Sequence, residues 1–138
     1  MRYLLDICVL SELVKPKPEA KVVRWVDEQD EHQLFLSVVT IGELYKGIAK
    51  LPAGPRRARL EDWVEDDLTS RFHRRILPVD TAVAATWGVM LGVAEVDGGP
   101  LPVIDALIGA TAKVHSCTVV TRNEIDLVRT GVEVKNPW

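Results

Sequence analysis

Short apolar runs and longer stretches with helical spacing take turns along this chain. Tyr3–Leu5, Leu34–Ser37, Ile76–Val79 and Cys117–Thr121 are brief and rich in aliphatic or β-branched residues, the form taken by strands buried on both faces. Glu133–Lys135 has room for a short final strand. Val9–Val14 predicts a short helix that Lys15-Pro16-Lys17-Pro18 ends, because the residue before a proline is pushed out of the helical region. Glu19–Glu28 sets Val22, Val23 and Val26 beside Trp25 with amphipathic spacing. Thr40–Lys50 predicts the next helix, stopped by Leu51-Pro52-Ala53-Gly54-Pro55. From Arg56 to about Arg71 a charged helix presents Leu60, Trp63, Val64 and Leu68 on one side. Asp80 caps a helix running to about Glu95. After the loop Val96-Asp97-Gly98-Gly99-Pro100, Val103–His115 forms a helix rich in small residues.

Strands separated by helices of this length imply crossover connections, hence an α/β fold with a mainly parallel central sheet covered on both faces, a three-layer α/β/α sandwich. Ligands of such sandwiches bind where the carboxyl ends of the strands open onto a crevice. Asp6 ends the first strand and Thr121-Arg122-Asn123 ends another, while Glu43 and Asp105 fall early in helices that could face the same crevice.

The chain of 138 residues suits one domain, expected to span residues 1–138, with no linker, internal repeat or low-complexity tract. No uncharged apolar stretch approaches the roughly 18–20 residues needed to cross a bilayer, and Met1-Arg2 leads straight into a strand-like run and not into a cleavable leader. A cytoplasmic protein without membrane contact is expected. Cys8 and Cys117 form no C-x-x-C pair and read as small buried hydrophobes in a reducing compartment. The net charge of −3 gives no general attraction to nucleic acid. Any polyanion must be gripped locally, and basic residues do cluster in Arg56-Arg57-Ala58-Arg59 and Arg71-Phe72-His73-Arg74-Arg75; solvated helix faces are the plainer account of both.

Charge changes the picture most where it is sparse. Asp6 is the only charged residue in Tyr3–Ser11, Glu43 in Leu34–Tyr45 and Asp105 in Gly98–Ala112, in a chain that is 27% charged. An ionised carboxylate in apolar surroundings costs several kcal/mol unless something compensates it. Each acid has a structural alternative. Asp6 could cap a turn, Glu43 could close a capping box with Thr40, and Asp105 could answer the dipole of its helix; Asp80, Glu124 and Asp126 fit such roles as well. Three separate apolar runs, each bearing one acid near one crevice, are harder to explain by independent caps. Carboxylates suit Mg²⁺ or Mn²⁺, and the scattered His32, His73 and His115 offer no zinc spacing. Acids holding hard cations are the usual apparatus of phosphodiester hydrolysis.

Leu4-Leu5-Asp6, Ser37-Val38-Val39-Thr40-Ile41-Gly42-Glu43-Leu44, the run Pro102–Ala112 centred on Asp105, and Val119-Val120-Thr121-Arg122-Asn123 together resemble the PIN-domain ribonucleases. More closely, the chain resembles VapC toxins of bacterial toxin–antitoxin pairs, including the FitB-like branch, down to its Gly131–Trp138 ending. The resemblance implies a PIN α/β/α sandwich and a metal-dependent endoribonuclease. Asp6, Glu43 and Asp105 match the three acids that hold Mg²⁺ or Mn²⁺ and position water. The fourth acidic position falls at Asn123 or is served by Asp126, and Thr121 matches a hydroxyl that supports the first acid. The resemblance further implies a VapB-like antitoxin as partner, a homodimer, and structured RNA such as tRNA or rRNA loops as substrate.

Where the family motif usually reads Asp-Thr-Asn, this chain has Asp6-Ile7-Cys8. A thiol cannot reproduce the two-way bonding of an amide. That departure motivates a different class of function, a catalytically weak PIN domain that binds RNA or protein, which the retained acids oppose. A receiver-like phosphotransfer module is a third class, and it would carry a lysine after a late strand where this chain has Arg122.

Overall fold

Strands β1 (Tyr3–Leu5), β2 (Leu34–Ser37), β3 (Ile76–Leu77), β4 (Thr118–Val120) and β5 (Val134–Lys135) form one sheet in the order β3-β2-β1-β4-β5 in the computed structural model of the chain, which describes residues 1–138. Every adjacent pair is parallel. The helices are α1 (Ile7–Leu13), α2 (Ala20–Glu28), α3 (Val38–Ala49), α4 (Pro55–Asp62), α5 (Thr69–Arg71), α6 (Thr81–Val96), α7 (Val103–Val114) and α8 (Glu124–Val128), with a 3-10 turn at Glu31–Gln33. From β1 the chain moves outward through β2 to β3 and then returns to the other side of β1 as β4. The reversal lies between β1 and β4, where parallel sheets of this kind open a crevice.

Strand alternation sorts the core into two layers. Leu5, Leu34, Leu36 and Val120 face one side, where they join Val9, Leu10, Val22, Val26, Leu44, Ile48, Val64, Leu68 and Phe72 from α1 through α5. Leu4, Phe35, Leu77 and Val119 face the other, against Ile108 and Ala112 of α7 and Leu127 of α8. Both faces are therefore covered, as the continuous apolar strands require. Phe72 is fully buried, and truncating it to alanine would cost about 3–5 kcal/mol.

Several boundaries differ from the sequence pattern for identifiable reasons. Helix α1 begins two residues before Val9 because Asp6 caps it, accepting from the Ile7 backbone N–H at 2.9 Å. Helix α3 begins at Val38, not Thr40, because Ser37 is its cap and accepts from Val39 N–H at 3.1 Å. The capping box expected between Thr40 and Glu43 is thus absent: Thr40 is already inside the helix and its buried hydroxyl has no partner. Strand β3 stops at Leu77 and β4 begins at Thr118.

The single helix expected over Arg56–Arg71 is interrupted by a π-helical stretch, Trp63–Leu68. There the Thr69 hydroxyl donates to the Val64 carbonyl at 2.7 Å. Val64, Leu68 and Phe72, spaced by four, are all turned into the core. Asp80 caps α6 as expected, accepting from Val83 N–H at 3.0 Å. On α7, a Cβ added to Gly109 would stand 2.6 Å from the Thr130 Cβ, so the small residue is what lets the chain after α8 approach this helix.

Candidate functional site

The ends of β1 and β4 lie side by side because Leu5 is paired with Val120, and Asp6 N–H donates to the Val120 carbonyl at 3.0 Å. The two following residues, Asp6 and Thr121, are consequently neighbours. The fully buried Thr121 hydroxyl donates to Asp6 Oδ2 at 2.8 Å, while Asp6 Oδ1 takes the α1 N–H. Asp6 is only 7% exposed, and both of its oxygens are held by donors, so its carboxylate is fixed in direction. Thr121 also accepts from Asn123 N–H at 3.0 Å.

Glu43 projects from the second turn of α3. Its carboxyl is pushed up to about 7, first by burial and then by the charges of Asp6 and Asp105, against a smaller opposing pull from Lys46. Its Oε1 is buried with no hydrogen-bond partner. Asp105, in the first turn of α7, is likewise raised, by burial first and then by Asp6 and Asp126, while Asn123 pulls the other way. Asn123 Nδ2 donates to Asp105 Oδ2 at 3.3 Å. Of the two residues proposed for the fourth position, Asn123 therefore bonds to the acid, and Asp126 acts on it through charge alone.

Cys8 is partly buried and close to the same cluster. Its Sγ lies 3.4 Å from Thr121 Oγ1 and 3.9 Å from Asp6 Oδ2. Burial pushes its thiol up, with the Thr121 contact opposing. Cys117 is buried in the second core layer, and both cysteines are free.

All six residues singled out from the sequence, Asp6, Glu43, Asp105, Thr121, Asn123 and Asp126, thus meet at the carboxyl end of the sheet. They do not collapse together: no three acidic, histidine or cysteine side chains gather at the spacing of a coordination shell, which agrees with the mutual repulsion that raises Glu43 and Asp105. The donor chemistry nevertheless fits a hard divalent cation. One carboxylate oxygen, Glu43 Oε1, is buried and unbonded, and a cation drawn in by Asp6, Glu43 and Asp105 would relieve both the burial and the repulsion.

The basic clusters separate in space. Arg71 and Arg75 stack on Phe72 and bond to Glu31, with Arg71 Nε to Glu31 Oε1 at 2.7 Å, so they serve the structure. Arg57 pairs with Glu61 at 2.9 Å. Arg56 and Arg59 have no acidic partner and line a groove together with Glu43, Leu44, Ile48 and Trp63. Lys46, one turn after Glu43, was not singled out from the sequence, although its i,i+3 spacing from the acid was visible there.

The PIN domain family matches residues 3–132. Toxin FitB of Neisseria gonorrhoeae is 38% identical over 135 residues, which cover 98% of this chain and 97% of that protein. VapC ribonuclease Y4jK of Sinorhizobium fredii is 33% identical over 135 residues, 98% of this chain and 96% of that protein. The crystal structure of FitAcB from Neisseria gonorrhoeae superposes with a TM-score of 0.92 at 38% identity, over 99% of this chain and 98% of that one.

Proposed function

The chain belongs to the PIN-domain family, and from that premise we propose that it is a divalent-metal-dependent endoribonuclease, the toxin of a VapBC type II toxin–antitoxin pair acting in the cytoplasm as a single PIN domain. The observation that carries this is Glu43. A carboxyl raised to about 7 by burial, Asp6 and Asp105, with one oxygen unbonded, has no structural use that explains it.

Each residue then has a task. Asp6, clamped by Thr121 and the α1 N-terminus, presents a fixed acidic edge. Glu43 Oε1, buried and without a hydrogen-bond partner, is the oxygen left for a cation to engage. Asp105 completes the acidic wall, and Asn123 holds it by one oxygen so that the other can face the crevice. Mg²⁺ or Mn²⁺, held by Asp6, Glu43 and Asp105, would acidify a water and stabilise negative charge on the phosphate oxygens. Asp126, by keeping the local field negative, strengthens the pull on that cation.

A toxin needs a neutralising partner, and the groove lined in part by Glu43 has the composition to take one. Its apolar floor and the unpaired Arg56 and Arg59 suit an amphipathic, acidic segment of a VapB-like antitoxin. The exposed Val89 and Val93 of α6 supply an apolar face for a homodimer. Structured RNA, such as tRNA or rRNA loops, is the proposed substrate. The weak Cys8 contacts favour the second possibility, a catalytically weak PIN domain that binds RNA or protein.

Incubation of tRNA and rRNA with purified antitoxin-free protein, in Mg²⁺ or Mn²⁺ and in EDTA, separates the two. Discrete products dependent on the cation support the nuclease; binding without products in every condition supports the weak module.

A further inference from the structure

Resting on the ribonuclease assignment, we propose that Arg122 is the residue through which the site grips a backbone phosphate of its RNA, and that the terminal Trp138 is the positioning residue that aims it. Arg122 stands between Thr121, which is bonded to Asp6, and Asn123, which is bonded to Asp105. Its backbone is therefore fixed from both sides at the edge of the acid cluster. The side chain is exposed, forms no ion pair and donates no hydrogen bond within the chain, yet it is not loose. Its guanidinium lies 4.8 Å above the Trp138 ring.

The ring itself is anchored. Trp138 Nε1 donates to Glu12 Oε1 at 3.4 Å, and Glu12 is shielded from solvent and bonded by Lys15 Nζ at 3.0 Å and Glu19 N–H at 3.1 Å. Trp138 N–H donates to Asn136 Oδ1 at 3.0 Å, and Asn136 Nδ2 reaches Glu124 Oε2 at 3.0 Å, at the start of α8. Thr121 N–H also donates to the Lys135 carbonyl at 2.9 Å. The chain end thus straps the Thr121–Glu124 loop and holds an aromatic plate under its arginine.

Other arginines over aromatic rings are spent within the fold: Arg71 and Arg75 bond to Glu31, and Arg2 donates to the His115 carbonyl at 3.0 Å over Phe35. Stacking engages only the face of a guanidinium and leaves its N–H edge free, and that edge matches two phosphate oxygens. A polyanion approaching Asp6, Glu43, Asp105 and Asp126 needs a positive group beside them, and ordering that group in advance reduces the entropy lost on binding.

The test compares steady-state RNA cleavage by wild type, Arg122→Gln, Arg122→Lys, Trp138→Leu and Trp138→Phe, with KM and kcat separated at several salt concentrations and Mn²⁺ affinity measured in parallel. For Arg122→Gln the expected result is a rise in KM of about ten-fold or more, a salt slope shallower by about one, and unchanged Mn²⁺ affinity. Trp138→Leu should raise KM in the same direction, Trp138→Phe, which keeps a ring but loses the bond to Glu12, should restore most of it, and Arg122→Lys should recover only part of the loss. Urea denaturation confirms that each variant is folded. A cleaving wild type with KM and salt slope unchanged in Arg122→Gln overturns the assignment of Arg122 alone. The same holds if Arg122→Gln weakens only antitoxin binding, which would give the arginine to the protein partner. A wild type that cleaves no RNA overturns the nuclease assignment and this one with it.

Discussion

Replacing Glu43 with glutamine should stabilise the metal-free protein while disabling its site. Folded, the carboxyl titrates at about 7, against 4.5 for the ordinary group. Between those values the folded state binds more protons than the unfolded one, so stability falls as pH rises through that window and levels off above it. The full shift would correspond to about 3 kcal/mol; Glu43 is only half-buried, and solvent screening reduces the figure to about 1–2 kcal/mol. Glutamine has nearly the same volume and no charge. In EDTA at pH 8, Glu43→Gln should therefore raise the urea midpoint by about 0.5–1 M, and at pH 5, where the wild-type carboxyl is already protonated in the fold, the gain should shrink to a few tenths of a kcal/mol. Saturating Mn²⁺ should reverse the order, because wild type gains about 2–3 kcal/mol at a hundred times its dissociation constant while the variant binds weakly. Urea denaturation at the two pH values, with and without Mn²⁺, measures all of this. An equal gain at pH 5 and pH 8, or a variant less stable than wild type at pH 8, would refute the reasoning that Glu43 is held charged at a cost.

Thr121→Val keeps the buried shape but removes the donor to Asp6 Oδ2; unfolding should become easier by about 1.5–3 kcal/mol, and metal affinity should fall about 10–100-fold, read by calorimetry. Cys8→Asn replaces a thiol whose nearest Asp6 oxygen is 3.9 Å away with an amide that can bond both ways, and turnover of RNA should rise by several-fold; an unchanged rate would show that position 8 does not orient the acids. Gly109→Ala sets a methyl against Thr130 at 2.6 Å and should lower stability by about 1–3 kcal/mol in thermal or urea unfolding.

Much of this fold was legible because its strands are buried on both faces and its helices are broken by proline and glycine. The apolar runs at Leu4-Leu5, Leu34–Leu36 and Val119-Val120 could hardly be anything but central strands, and parallel order followed from the helical lengths between them. Boundaries were harder, because they depend on caps that compete within one or two residues. Ser37 and Thr40 can each cap α3, and only the tertiary pairing of β2 decides for Ser37. The π-helical stretch at Trp63–Leu68 was invisible in the sequence, since Val64, Leu68 and Phe72, spaced by four, also fit one face of an ordinary α-helix. At the site, Asp6, Glu43 and Asp105 stood out as lone charges in apolar runs. Arg122 and Trp138 did not, because an arginine in a loop and an aromatic far along the chain gain meaning only when β4 and β5 bring them together beside the acids.

The central claim is that these three carboxylates together hold one divalent cation. It is tested most directly by titrating Mn²⁺ into metal-free wild type and into Asp105→Asn, reading the heat of binding. One site in wild type, weakened at least ten-fold in the variant, is the predicted result, since the variant loses one charged oxygen donor yet keeps its shape. Identical isotherms for the two proteins, or no binding by a folded wild type, would contradict it.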